Sequence, residues 1–309
     1  MLGGSQGNHG RNMAGRIVAV GECMVELSPA GADLLRRGFA GDSFNTAWYL
    51  RQKLPETWQI DYLSAVGQDA ISDQMLGFMR QSGIGVAHVA RRSDATVGMY
   101  LITLEHGERS FTYWRDKSAA RHLADDPAML AQGLAGAALV VYSGITLAIL
   151  TEDRREQLIQ SISEARARGA RVAFDPNMRE RLWQNRPTMR HWIEAAARRA
   201  DIVLPSFDEE TLIAGDPTSE ATIARYRGMG VPMVVVKNGA GAIRAWDGEA
   251  HRFVPLQQRA VDSTAAGDSF NAGFLAALLQ GCNMHDCLDQ GAALAGQVIR
   301  KPGALVAVK

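Results

Sequence analysis

The chain has 309 residues, 47% of them hydrophobic, enough to bury the core of one large α/β domain or two smaller ones. Its 33 basic and 33 acidic residues cancel, so no net field draws it to nucleic acid or to an anionic membrane. Three cysteines, Cys23, Cys282 and Cys287, are odd in number and lack metal-ligand spacing, which points to reduced thiols in a cytoplasmic protein.

Residues 1–15 are rich in Gly, Asn and Ser and hold no apolar stretch of the kind a secretory signal needs. They are expected to be a disordered lead or cloning remnant, with Met13 a candidate start, and the folded domain to occupy 16–309. Arg16–Val20 is an apolar run and reads as a buried first strand. Leu34–Ala40 is short and basic and leads to Gly41-Asp42-Ser43-Phe44-Asn45, after which a helix runs to about Lys53. Ile60–Val66 reads as a strand, and Ser72–Ser82 as a helix stopped by Gly83. Val97–Leu104 and Arg109–Trp114 are β-rich and joined by Glu105-His-Gly-Glu108, a hairpin that interrupts the strand–helix alternation. It is expected to project as a lid.

Pro127–Thr151 carries no charge, but Gln132, Gly133, Gly136, Ser143 and Gly144 break its apolar density. A short helix, a buried strand Leu139–Tyr142 and a polar turn at Ser143-Gly144 fit better than a membrane span, which wants about 20 apolar residues in one run. Thr151–Arg168 has an acidic start, a stripe of Leu158, Ile159, Ile162 and Ala165, and a basic end before Gly169: an amphipathic helix. Strands are expected at Arg171–Phe174, Asp201–Leu204 and Met233–Val236, and a helix at Thr188–Arg199. Ala242–Trp246 and His251–Val254 form a second hairpin, and helices at about Gly267–Leu279 and Met284–Lys301 close the chain. This alternation implies a parallel sheet covered on both faces, with ligands bound beyond the C-terminal strand ends. No P-loop and no Gly-x-Gly-x-x-Gly after the first strand is present.

Asp262-Ser-Thr-Ala-Ala-Gly-Asp268-Ser-Phe carries the most chemistry. Small side chains at Ala265, Ala266 and Gly267 let the backbone N–H groups of 265–268 face outward at a helix N-terminus, where partial positive charge can hold a phosphate. Asp268 in that turn is placed to take a proton from an attacking hydroxyl. An acid at a helix start is also a common cap, so the segment alone does not decide.

Taken whole, Asp262–Phe274 resembles the C-terminal signature of the PfkB (ribokinase-like) carbohydrate kinases, usually Asp-Thr-x-Gly-Ala-Gly-Asp, with Ala265 here replacing the first Gly. Ala40-Gly41-Asp42-Ser43-Phe44-Asn45 resembles that family's N-terminal signature, and Asp175-Pro-Asn-Met-Arg179 its Asp-Pro-Asn-x-Arg segment. The resemblance implies a ribokinase-like three-layer sandwich with a mainly parallel central sheet and a small projecting β lid, drawn from about 33–41 and 96–115. It also implies an ATP-dependent kinase with Asp268 as base and 265–268 as anion hole. Gly41, Asp42 and Asn45 would meet the sugar; Asn177, Ser206, Lys237, Gly239, Gly241, Ala265 and Gly267 would meet ATP. Glu209 matches the Glu of an Asn-x-x-Glu motif that supports Mg²⁺ through water, whereas Ser206 departs from its Asn. A monovalent-cation site is left open.

Tyr113-Trp-Arg115 resembles the Tyr-x-Arg segment of the 2-keto-3-deoxygluconate kinases, as do Gly21-Glu22-Cys-Met-Val-Glu26-Leu and Pro205-Ser-Phe-Asp. The resemblance gives Tyr113, Arg115 and Arg179 contacts to an acid sugar, since guanidinium groups bind carboxylate as a bidentate fork. Tyr100 either faces substrate or packs within the lid. The expected acceptor is 2-dehydro-3-deoxy-D-gluconate, phosphorylated at its C6 hydroxyl. Alternatives are a fructokinase, a ribokinase, a 2-keto-3-deoxygalactonate kinase or a non-catalytic sugar-binding protein on the same fold. A Rossmann-type oxidoreductase is disfavoured by the missing fingerprint. No nucleic-acid or membrane partner is expected. A homo-oligomer through lid strands is, because an isolated two-stranded ribbon is marginal in water.

Overall fold

Strand–helix alternation produces two sheets of unequal size in the computed structural model, which describes residues 14–31, 33–105 and 108–308. The chain enters through β1 (Gly15–Val20), crosses to β2 (Met24–Pro29) and β3 (Leu35–Ala40), and returns through α1 (Asp42–Lys53) to β4 (Trp58–Gly67), α2 (Ala70–Gln81) and β5 (Gly85–Arg92). It leaves again as the hairpin β6 (Met99–Glu105) and β7 (Glu108–Trp114). Then follow α3 (Pro127–Leu134), β8 (Leu139–Ser143), α4 (Gly144–Ala148), α5 (Glu152–Ala167), β9 (Arg171–Asp175) and α6 (Arg186–Ala197). Next come β10 (Ile202–Val203), α7 (Phe207–Ala214), α8 (Ser219–Gly228) and β11 (Met233–Val236). The hairpin β12 (Ile243–Trp246) and β13 (Ala250–Phe253) precedes α9 (Ala266–Leu279) and α10 (Met284–Val298).

Among the described residues the large sheet has nine strands, in the order β13-β12-β11-β10-β9-β8-β1-β4-β5. All pairings are parallel except those of the β12–β13 hairpin at one edge. Strand period 2 sends Ile17 and Ala19 to one face and Val18 and Val20 to the other, and all four are fully buried. The first face packs on α1, α2, α9 and α10 through Phe44, Leu50, Met75, Phe274 and Leu288. The second packs on α3, α5, α6 and α8 through Leu130, Leu158, Trp192 and Tyr226. This is the three-layer sandwich expected from the sequence.

The small sheet is the lid, and it is broader than the sequence implies. Its order is β3-β2-β6-β7, with Met24–Pro29 at its centre, paired antiparallel to β3 and parallel to β6. Met24, Val25 and Glu26 are all buried, so β2 lacks the alternation that marks a half-exposed strand. The turn His106-Gly107 lies outside the described residues, as do residues 1–13. Gly15 belongs to the fold rather than to the lead: it opens β1, where a Cβ would come within 2.8 Å of the Trp58 ring. Ser143-Gly144 is likewise not a free turn. Ser143 caps α4 by accepting from Thr146 N–H, and Gly144 leaves room for the Pro176 carbonyl, which a Cβ would meet at 1.9 Å. No helix among the described residues is long and apolar enough to cross a membrane.

Candidate active site

Because β1, β8, β9, β10 and β11 run parallel, the segments following them converge at one edge of the sheet. There the core and the lid enclose a cleft of about 800 Å³. From the core come Gly41, Asp42, Asn45, Asp175, Asn177, Arg179, Ser206, Glu209, Lys237 and residues 261–268; from the lid and its flanks come Glu22, Met24, Tyr100, Phe111, Tyr113 and Arg115. Most of the residues singled out from the sequence are thus brought together. Gly239 and Gly241 are the exceptions: they form the tight turn between β11 and β12, where Gly241 N–H donates to the Asn238 carbonyl, and they do not line this cleft.

Asp268 lies in the first turn of α9. Its Oδ2 accepts from Asn45 Nδ2 at 2.8 Å, which ties α9 to α1. Burial pushes its carboxyl up to about 7, the charges of Asp42 and Asp175 add to the rise, and the Asn45 amide and Lys237 ammonium oppose it. A carboxylate so placed is a base poised near neutrality.

The turn before it is shaped by one residue. Ala265 has φ 60°, in the left-handed region that an L side chain enters at a cost of about 1 kcal/mol. The position where this chain departs from Gly is therefore one where Gly would be unstrained. Ala266 N–H donates to the Ser263 carbonyl at 3.2 Å, so one of the four amides expected to face an anion is already engaged. Gly267 and Asp268, at the first turn, have no preceding helical turn to accept their N–H groups. A Cβ on Gly267 would sit 3.5 Å from Lys237 Nζ, so an ammonium lies beside the same turn.

Lys237 is fixed by groups from two elements, β9 and α9. Its Nζ donates to Asp175 Oδ2 at 2.8 Å and to Asn271 Oδ1 at 3.1 Å, while Asn271 Nδ2 donates to Asp175 Oδ2 at 2.6 Å. Asn271, one turn beyond Asp268, is not singled out by the sequence. The Asp-Pro-Asn turn is held by Asn177, whose φ of 34° is a left-handed value that Asn tolerates better than most residues. Asn177 Nδ2 donates to Asp42 Oδ2 at 2.8 Å, joining this turn to the start of α1. Gly41 is required there because a Cβ would lie 2.1 Å from the Glu22 carbonyl oxygen.

Ser206 caps no amide of α7 with its side chain; it lines the cleft, and its backbone bridges to Lys237, with Lys237 N–H donating to the Pro205 carbonyl. Glu209 accepts from Met178 N–H at 2.9 Å and pairs with Arg179. On the lid, Tyr100 donates its hydroxyl to Glu26, and with Phe111 and Tyr113 it forms an aromatic wall. Tyr113 is half-exposed. Arg115 is buried and paired with Glu22, its guanidinium carbon 5.8 Å from the Tyr113 ring centre. Both arginines assigned to the acceptor are therefore already held by carboxylates. Arg181, two residues after Arg179, also lines the cleft, and no motif in the sequence marks it. Asn271 carries no local signal because only tertiary contact gives it partners, and the sequence segment that includes Glu22 gives that residue no role.

Compared with known families, the chain matches pfkB family carbohydrate kinase over residues 14–308. It is 38% identical over 299 residues to the 2-dehydro-3-deoxygluconokinase of Dickeya dadantii (strain 3937), covering 94% of this chain and 96% of that protein. It is 37% identical over 303 residues to the 2-dehydro-3-deoxygluconokinase of Escherichia coli (strain K12), covering 95% and 98%. Among solved structures it resembles a PfkB protein from Polaromonas sp. JS666, with a TM-score of 0.81, 27% identity and coverage of 94% of this chain and 98% of that one.

Proposed function

The chain belongs to the pfkB family of carbohydrate kinases, and we propose that it transfers the γ-phosphoryl group of ATP to the C6 hydroxyl of 2-dehydro-3-deoxy-D-gluconate. The observation that carries the chemistry is the pairing of Asp268, a half-buried carboxyl pushed up to about 7, with the open first turn of α9 beside the Lys237 ammonium. Asp268 removes the acceptor hydroxyl proton as its oxygen attacks the γ-phosphorus in line. The Gly267 and Asp268 amides, the helix dipole and Lys237 stabilise the developing charge. The lid wall of Tyr100, Phe111 and Tyr113 excludes water that would otherwise take the phosphoryl group.

The acceptor is read from the two cleft arginines, Arg115 at the lid base and Arg179 on the core, and from the names of the two relatives at 37–38% identity. Arg115 and Arg179 supply guanidinium groups where a sugar acid carries its carboxylate, a need no neutral sugar has. Mg²⁺ fits the oxygen donors present. Glu209, engaged by Met178 N–H and Arg179, would support the ion through water rather than as a direct ligand, and the ion would neutralise phosphate charge. Reduced thiols fit a cytoplasmic location, and the exposed apolar residues of the lid's edge strands fit association of copies through the lid.

The test is ADP release with Mg·ATP and a panel of 2-keto-3-deoxygluconate, its galacto epimer, gluconate, fructose and ribose. Preference for the keto-deoxy acids supports both the transfer and the carboxylate role of the arginines. Turnover of a neutral sugar instead retains Asp268 as base and discards the acid-sugar assignment. No turnover with any of them discards the kinase reading for these acceptors.

A further inference from the structure

Glu22 occupies a place that the chemistry above does not use. It lies between β1 and β2, where the chain first leaves the core for the lid. Arg115 follows β7 directly, where the chain returns. The two side chains pair through Glu22 Oε2 and Arg115 Nη2, joining an outgoing and an incoming crossing at the base of the lid. Glu22 is 2% exposed and Arg115 6%.

The pair is incompletely satisfied. Among the described residues, Glu22 Oε1 and Arg115 Nε are buried with no hydrogen-bond partner. Burying two charges costs several kcal/mol per ion, recovered only when the remaining donors and acceptors are also met. Such a pair is a poor way to fasten a hinge, because apolar residues of similar volume would close it at lower cost. Yet the neighbouring backbone is cut to fit it. A Cβ on Gly98 would stand 2.8 Å from Glu22 Oε1 and 3.2 Å from Arg115 Cβ, and Gly41 makes room for the Glu22 carbonyl. Both side chains line the cleft.

We propose that Glu22 is a positioning residue for acceptor recognition: it holds one arm of the Arg115 guanidinium at the base of the lid, so that the group stays oriented when it receives the acceptor's carboxylate. The proposal rests on the reading of Arg115 as a carboxylate contact. An unpaired arginine this deeply buried would turn toward solvent or lose orientation; the Glu22 carboxylate prevents both.

The test is steady-state kinetics of the full chain with Mg·ATP and 2-dehydro-3-deoxy-D-gluconate, for Glu22→Gln, Arg115→Lys and the double variant, with melting temperatures alongside. Glu22→Gln is expected to raise the acceptor KM about tenfold, the scale of losing a preorganised charge-assisted contact, while the ATP KM stays within about twofold. The double variant should be no worse than Arg115→Lys alone. Multiplying effects in the double variant, or a raised acceptor KM in Arg115→Lys beside a wild-type value in Glu22→Gln, would overturn the proposal alone. A wild-type acceptor KM in Arg115→Lys would overturn the carboxylate reading and the proposal with it. Should Glu22→Gln not fold, Glu22→Asp keeps the charge and withdraws it from Nη2; it is expected to raise the acceptor KM, and an unchanged KM counts against the proposal.

Discussion

Asn45 donates to Asp268 across 2.8 Å although 223 residues separate them, so the two ends of the domain meet at one hydrogen bond to the proposed base. That bond favours the ionised carboxylate, against burial and against the charge of Asp42. Burial sets the direction of the Asp268 shift, and a residue on another helix limits its size.

Replacing Asp268 separates chemistry from stability. Asp268→Asn should lower kcat by about a thousandfold, the usual scale for removing a general base. The folded-state carboxyl is raised from 3.8 to about 7, so its stabilising contribution is complete below the unfolded value and is lost as pH rises through about 7. The carboxamide that replaces it cannot ionise and avoids that loss. Melting temperatures should show the variant more stable than wild type at pH about 8 and closer to it at pH about 5. Near-wild-type turnover would remove Asp268 from the mechanism.

The pH profile tests the same group in the active protein. A base must be deprotonated, so kcat/KM should climb with pH through about 7 in the wild type. Asn45→Leu removes a hydrogen bond to the charged form and should move that acid limb to higher pH. A profile unmoved by Asn45→Leu would show that another group titrates.

Ala265→Gly is expected to depart from the usual cost of glycine. A left-handed alanine is strained by about 1 kcal/mol, and the extra freedom glycine brings to the unfolded chain costs about 0.4–1 kcal/mol. The two nearly cancel, and the melting temperature should hold or rise slightly. Ala277→Gly within the same helix is the control and should cost about 1 kcal/mol or more. Equal losses at both positions would show that φ at 265 carries no strain.

The helix that presents Glu209 is anchored by its neighbour. Glu210 is fully buried, accepts from Tyr226 Oη at 2.7 Å and pairs with Arg225, which also reaches Asp216 at 2.8 Å. Burial pushes the Glu210 carboxyl up to about 7, against the pull of Arg225. Arg225→Ala strands that carboxyl and should cost about 3–5 kcal/mol in urea denaturation. The loss should be smaller at acid pH, where Glu210 protonates. A loss under about 1 kcal/mol would reduce the cluster to a surface pair.

The lid carries Leu35 at 52% exposure and Trp114 at 51%, one on each outer strand. If copies associate there, the purified protein should show a multiple of its 33.5 kDa chain mass by light scattering. Leu35→Lys with Trp114→Lys should then reduce it to a single chain. A monomeric wild type would end the idea.

What is legible in the sequence is what local pattern encodes. Period and capping locate β1, α5 and α9, and Asp268, Asn45 and Asn177 can be named because short signatures place them next to recognisable turns. The strand β2 is hidden because its inward residues include Glu26, whose partner Tyr100 is supplied by β6. The edge strand β5 mixes His88, Arg91 and Arg92 into its β run. The helices α7 and α8 are short and their buried positions include Glu210, Ser219 and Thr222, so no apolar stripe announces them. Glu22, Asn271 and Arg225 acquire meaning only through partners 93, 96 and 15 residues away, and no spacing rule reports that.

The cleft has two parents. Asp268, Asn45, Asn177 and Lys237 stand on core elements, whereas Tyr100, Tyr113 and Arg115 stand on the lid or at its base. On the proposed reading, phosphoryl transfer belongs to the core, whereas acceptor choice is shared between Arg115 at the lid base and Arg179 on the core. The lid's part in that choice could be rewritten in four strands and their hinge while the catalytic inventory is left alone. The reverse also holds: a lid transplanted from a relative would have to bring its own match for Glu22 and Gly98, beside strand residues such as Val25 and Phe39 that pack on the core.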